Sequence, residues 1–137
     1  MSTSDDYYLP GVRRKLLVVA GTRPEAIKLL PLIQAMQQSR RYQPFLVATG
    51  QHPGVVERVF GHAGLTVDAD LGVGRAGLTL NDLFSAVLCG LERFCTETFG
   101  LADRVVTSRD YDVYPVACAV HGDTSSAAAA ALSCFHL

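Results

Sequence analysis

Neither sign of charge dominates this 137-residue chain: 12 basic and 13 acidic residues leave a formal net charge of -1, and no block of like charges occurs. The electrostatic footprint of a nucleic-acid binder is therefore missing, so any anion the chain holds is small and locally bound. Long apolar runs are missing too. The opening Met-Ser-Thr-Ser-Asp-Asp-Tyr-Tyr carries acidic rather than basic residues, and the apolar run after it is too short for a signal peptide or a membrane span. The expectation is a cytoplasmic protein with no membrane partner. The four cysteines, Cys89, Cys95, Cys118 and Cys134, show no Cys-x-x-Cys spacing. They lie in apolar helical or strand patterns, which favours structural thiols over metal ligands or disulfides.

The residues that are present alternate strand and helix, a pattern that builds a parallel sheet with helices on both faces. With 49% hydrophobic residues the chain can bury one core. Residues 1–14 read as a flexible extension, and 15–137 as one α/β domain. The apolar run at 15–20 is a strand, followed by a helix over 24–39 in which Ile27, Leu30, Ile33 and Met36 recur at helical spacing. Pro31 inside that helix is expected to kink it or shift its start. A second strand covers 45–49, a short helix 55–62, and a glycine-containing loop 71–78 closes at Thr79, where Asp82 completes a capping-box pattern. The strongest periodicity then runs from Leu80 through Leu83, Phe84, Val87, Leu88, Leu91, Phe94 and Cys95. A polar stretch leads to a strand at 116–120 and a final alanine-rich helix from Ser125. Three strands and two unsatisfied sheet edges result, with Leu132, Phe135 and Leu137 of the last helix seeking cover.

Three loops follow three strands: Gly21-Thr-Arg-Pro-Glu25, Gly50-Gln-His-Pro-Gly54 and His121-Gly-Asp-Thr124. In an open parallel sheet all of them lie at the carboxyl edge, where such folds bind ligands. The first amides of a helix carry the positive end of its dipole, so the head of the first helix, with Arg23 and Lys28, suits a phosphate or carboxylate. Arg23 capping a carbonyl and a solvated Lys28 is the plainer alternative. Asp123 is either an N-cap, accepting backbone N–H bonds, or a carboxylate aimed into the cleft as a base or a ligand to a sugar hydroxyl. His121, one residue past the strand, reads as packed. Gln51 and His52 suit a turn or a ligand equally well.

Taken in order, Gly-Thr-Arg-Pro-Glu-Ala-Ile-Lys at 21–28, Thr-Gly-Gln-His at 49–52 and His-Gly-Asp-Thr at 121–124 with its alanine-rich helix resemble the N-terminal domain of bacterial non-hydrolysing UDP-N-acetylglucosamine 2-epimerases. The resemblance implies the N-terminal, Rossmann-like half of a two-domain GT-B-like enzyme. Such enzymes interconvert UDP-GlcNAc and UDP-ManNAc by removing the C2 proton, eliminating UDP and adding it back. It implies that Arg23 and Lys28 lie near the substrate's phosphates, that Asp123 is an active-site residue touching substrate, and that Gln51 and His52 touch a second, regulatory UDP-GlcNAc. No cofactor is implied, the partner is UDP-GlcNAc or UDP, and full-length members are homodimers. Where the family has a glutamine preceded by a basic residue ahead of its third helix, this chain has Leu78 and Gly77. The family's next segment, with its catalytic glutamate, and its uridine-binding domain have no counterpart in these residues. The expectation is an incomplete domain, inactive alone. The alternatives are a piece of a GT-B glycosyltransferase and a non-catalytic phosphate-binding or dimerising remnant.

Overall fold

The computed structural model describes residues 11–100 and 113–137. Four strands, β1 (Arg14–Ala20), β2 (Tyr42–Ala48), β3 (Ala69–Asp70) and β4 (Ala117–Ala119), form one parallel sheet in the order β3-β2-β1-β4. Four helices accompany them: α1 (Arg23–Gln38), α2 (Val55–His62), α3 (Leu80–Phe99) and α4 (Ser125–His136). The expected three-strand sheet thus gains β3. With two residues it is too short to show any periodicity, and its position is fixed from both ends: Asp68 N–H donates to Leu46 O (2.7 Å) and Leu71 N–H to Ala48 O (2.9 Å). One edge is therefore not left where it was expected, although β3 covers only the end of β2. Pro44 lies in the part of β2 that β3 does not reach, where its missing N–H leaves no ladder bond unmade.

The second halves of the two central strands, 17–20 and 45–48, are continuously apolar because both of their faces are packed, whereas their starts carry Arg14, Lys15 and Gln43. Leu17 and Val19 of β1 and Val47 of β2 face one core, shared with Leu83, Val87 and Leu91 of α3 and Ala129 and Ala130 of α4. Val18, Ala20, Leu46 and Ala48 face the other, against Ala26, Leu29, Ile33 and Met36 of α1 and Val56 and Phe60 of α2. Ile27 does not belong to the buried face of α1, being 47% exposed. Pro31 neither ends nor displaces α1, which runs unbroken through it. It sits on the exposed face, where the carbonyl left without a donor can meet water.

The first fourteen residues are not all an extension. Residues 1–10 lie outside the described ones, but Arg13 donates to Tyr42 O (2.9 Å) and Met36 O (2.9 Å), and Arg14 begins β1. Residues 107–112 of the polar stretch also lie outside; after them, Tyr114 is buried and donates to Gly100 O (3.4 Å) at the end of α3. The capping box at α3 forms as read: Asp82 N–H donates to Thr79 Oγ1 (3.1 Å), and Asp82 Oδ2 accepts from Thr79 N–H (3.0 Å). Those Thr79 bonds hold the Asp82 carboxyl below its usual range. On α4, Ser133 donates to Leu88 O of α3 (2.9 Å), while Phe135 is 84% exposed.

Candidate functional site

The three loops singled out in the sequence follow β1, β2 and β4 and lie together at the carboxyl edge of the sheet. Their polar residues divide into an internal set and an outward one. Glu25 leads the internal set, although the sequence had marked it only as part of a motif. Its side chain is buried; Oε2 accepts from Gly21 N–H (2.7 Å) and Thr22 N–H (3.0 Å), and Oε1 accepts from the Thr124 hydroxyl. The anion at the head of α1 is thus the protein's own carboxylate, and an external anion there must be met by side chains instead of these amides. Its bonds to the Gly21 and Thr22 amides are local, those of a Thr22-x-x-Glu25 capping box, whereas its tie to Thr124 spans 99 residues of chain.

A second internal link joins the other two loops. Ser126 donates to Gln51 Oε1 (2.8 Å) and lies 3.5 Å from the buried Thr49 hydroxyl, which accepts from Gln51 N–H (3.3 Å). Gln51 is therefore held by the first turn of α4, and His52 beside it is exposed. The loop after β2 starts on Gly50 at φ +74°, a conformation L side chains rarely adopt, and a Cβ there would run into Asp70 and the Gly72 backbone.

The outward set is gathered by these links. Thr124, not Asp123, caps α4: its Oγ1 accepts from Ala127 N–H (3.1 Å) while its proton goes to Glu25. Asp123 is left exposed, and no hydrogen bond reaches it from the described residues. The N-cap reading of Asp123 therefore gives way to the outward one. Asp123 lines a cavity of about 410 Å³ with Lys28, His121, Thr22 and Pro24, and Glu25 and Thr124 also line it. His121 is exposed there and not packed. The cavity brings a cation, an imidazole and a free carboxylate to one place, a set able to hold an anionic group and exchange a proton beside it.

Arg23 does not join them. It lines a separate cavity of about 230 Å³ with Val55, Arg58, Val59 and His62 of α2. The spacing carries this signal, since five residues advance a helix by roughly 500°, leaving Arg23 and Lys28 roughly 140° apart around α1. Arg58, which reading the sequence did not single out, packs against Gly54, where an added Cβ would lie 2.9 Å from its guanidinium nitrogen. Gly77 and Leu78 fall in the loop before α3, with Gly77 exposed at φ +79°.

The sheet order, the helices on both faces and the ligand-type residues at the carboxyl edge define a Rossmann-like α/β unit, the class that forms one half of a GT-B enzyme. Over nine-tenths of its length the chain is similar to part of the UDP-N-acetylglucosamine 2-epimerases. It is 30% identical over 123 residues to the Campylobacter jejuni UDP-N-acetylglucosamine 2-epimerase, covering 90% of this chain and 28% of that one. It superposes on the Neisseria meningitidis UDP-GlcNAc 2-epimerase bound to UDP-GlcNAc with a TM-score of 0.70 and 28% identity, covering 89% of this chain and 29% of that chain. The S. aureus MnaA–UDP co-structure gives 0.69 and 28%, with 90% of this chain and 28% of that one covered. The chain thus spans less than a third of the length of these relatives. No protein-family model matches it.

Proposed function

We propose that this chain supplies one wall of the nucleotide-sugar site of a UDP-N-acetylglucosamine 2-epimerase, an isomerase interconverting UDP-GlcNAc and UDP-ManNAc. The observation that carries the reading is the cavity in which Lys28, His121 and Asp123 meet, built on the Glu25–Thr124 link. Expelling UDP develops negative charge on the diphosphate, and a cation fixed beside it stabilises that charge as it forms. Lys28 takes this role from inside the cavity, and Arg23 reaches the diphosphate from the other side of α1's first turn. Asp123, free of capping, acts on the sugar as an acid–base group or hydroxyl ligand. Gln51 keeps its amide N–H groups for a ligand while its carbonyl is engaged, so a second, regulatory nucleotide-sugar contact with His52 is part of the proposal. A cytoplasmic, homodimeric assembly of the longer enzyme completes it.

Titration of the 137-residue chain with UDP, followed by amide chemical shifts, tests the reading. Saturable millimolar binding is expected, weakened roughly three- to tenfold by Arg23→Ala or Lys28→Ala, and less by Asp123→Asn, because the cations meet the diphosphate directly. Absence of saturation, or Asp123→Asn as the most damaging change, overturns it. Incubation with UDP-GlcNAc in deuterated water is expected to leave the sugar C2 unlabelled. Three exposed groups cannot hold substrate in a dry, closed geometry. Labelling above a heat-killed control would show these residues to be sufficient for proton removal.

A further inference from the structure

The cavities on the two sides of α1's first turn differ in charge. Lys28 shares its own with two carboxylates, Glu25 and Asp123. The cavity of about 230 Å³ on the other side is lined by Arg23, Val55, Arg58, Val59 and His62, and no acid is among them. Val55, Arg58, Val59 and His62 stand at i, i+3, i+4 and i+7, so a single face of α2 supplies all four and turns them towards Arg23 at the start of α1. Glu57, the acid next to Arg58 in the chain, falls on the far side of α2 by the same spacing.

No hydrogen bond or salt bridge joins Arg23, Arg58 or His62 to another of the described residues. Two guanidiniums facing one acid-free cavity repel each other, and an anion between them turns that repulsion into attraction. Arg58 is also held in place. Gly54 caps α2 at φ +73°, and the Arg58 guanidinium lies against it, in space that a Cβ at 54 would enter to within 2.9 Å of Nη1.

We propose that Arg23, Arg58 and His62 form a subsite for a phosphate dianion, separate from the Lys28–Asp123 cavity. A guanidinium is a planar fork that matches two oxygens of a phosphate, and two forks from different helices grip different edges of one tetrahedral group. The His62 imidazole adds a third N–H donor, and Val55 and Val59 keep part of the surrounding water away. Side chains carry this site, because the first amides at the head of α1 already donate to Glu25. At roughly 30 Å³ per water molecule the cavity has room for a phosphate group and several waters. The chemistry recognised is the phosphate itself, whether free or part of a nucleotide. The subsite stands without the nucleotide-sugar reading; where that reading holds, Arg23 brings a phosphate of the diphosphate into it, and Arg58 and His62 become further binding residues.

The test is titration of the isotope-labelled 137-residue chain with inorganic phosphate, UDP and uridine in parallel, followed by the arginine Nε–H, His62 side-chain and backbone amide resonances. Phosphate is expected to saturate in the roughly millimolar range, moving the Arg23, Arg58 and His62 signals together. UDP should move the same three signals and uridine none of them. Arg58→Ala should weaken phosphate roughly tenfold, and Arg58→Lys, which keeps the charge but loses the fork, roughly threefold. Arg93→Ala, which removes one positive charge from an exposed position on α3, should stay within about twofold. Phosphate that fails to saturate, that moves His62 without Arg58, or that binds Arg58→Ala as tightly as wild type overturns the proposal. So does an Arg93→Ala effect equal to that of Arg58→Ala, which would reduce the subsite to overall charge. Phosphate seated at Arg58 while UDP does not saturate keeps the subsite and fails the nucleotide-sugar reading; UDP saturating at Lys28 and Asp123 with Arg58 silent does the reverse. The wild-type titration decides even where a variant fails to fold.

Discussion

Two carboxylates stand at strand-to-helix junctions on neighbouring parallel strands, and they meet opposite fates. Glu25, after β1, is 3% exposed and accepts from two backbone amides and a hydroxyl; Asp123, after β4, is exposed and receives no hydrogen bond from the described residues. Both helices have a threonine N-cap, Thr22 and Thr124, and the difference lies in where the acid stands: Glu25 three residues past its cap, Asp123 one residue ahead of it. At α1 the acid three residues past Thr22 folds back onto the turn, whereas at α4 the threonine after Asp123 performs the capping and sends the acid outward. An acid drawn into a helix head holds the fold; one displaced from it by a threonine is available for chemistry. The same loop architecture therefore yields a structural anion and a candidate reactive one, four hydrogen bonds deciding between them and not the residue type.

The largest expected effect follows directly. Glu25→Ala leaves the Gly21 and Thr22 amides without their acceptor and severs the tie to Thr124, so a loss of about 3 kcal/mol in a urea melt is expected. Asp123→Asn removes no hydrogen bond and should stay within about 0.5 kcal/mol of wild type. Equal stabilities for the two variants would break the distinction between them.

Gly21 sharpens it. Its amide donates to Glu25, and its Cα faces the hydroxyl pair beneath the site, where an added Cβ would lie 2.6 Å from Thr49 Oγ1 and 2.7 Å from Ser126 Oγ. Gly21→Ala must push α4's first turn away from β2 and loosen the Glu25 cradle, for an expected cost of about 2 kcal/mol. A melt indistinguishable from wild type would mean that the three junctions are not packed as tightly as Glu25's burial implies.

How much of this was legible in the sequence depends on how local each cause is. The short helix at 55–62 and the capping box at Thr79 rest on neighbouring residues, and the structure places both as read. The carboxyl-edge location of Arg23, Gln51 and Asp123 follows from strand order alone and also holds. β3 escaped because two residues carry no period, and its anchor, Asp68 Oδ2 accepting from Leu46 N–H (2.7 Å), spans two elements. Glu25's tie to Thr124 escaped for the same reason at greater distance, whereas its capping box with Thr22 is a local Thr-x-x-Glu pattern that the sequence does carry. The separation of Arg23 from Lys28 could have been read, since five residues place two side chains on different sides of a helix, but the charge pattern outweighed the angle. Asp123 has two possible roles on its sequence, and Thr124's hold on the cap decides between them.

The smallest expected effect concerns a third acid, whose partner is another acid. Glu57 of α2 shares a hydrogen bond with Asp70 of β3, and burial first, then that bond and the Asp70 charge, push the Glu57 carboxyl above its ordinary value of 4.5; its own backbone and Arg58 pull it partly back. A carboxyl raised in the folded state binds its proton more tightly there than in the unfolded chain. Its stabilising contribution is therefore present at low pH and is lost as pH climbs from 4.5 through the raised value, leaving two facing carboxylates at neutrality. Glu57→Gln keeps a donor for Asp70 and removes the like charge. The site is partly open to solvent, so screening keeps the gain at pH 7 to about 0.3–0.5 kcal/mol, and the variant's stability should fall less steeply than wild type's just above pH 4.5. Urea melts across pH 4 to 7 measure both quantities. A variant less stable than wild type at pH 7, with an unchanged slope, would show that Glu57 is held by something other than its proton, and would place it with Glu25 as a structural anion.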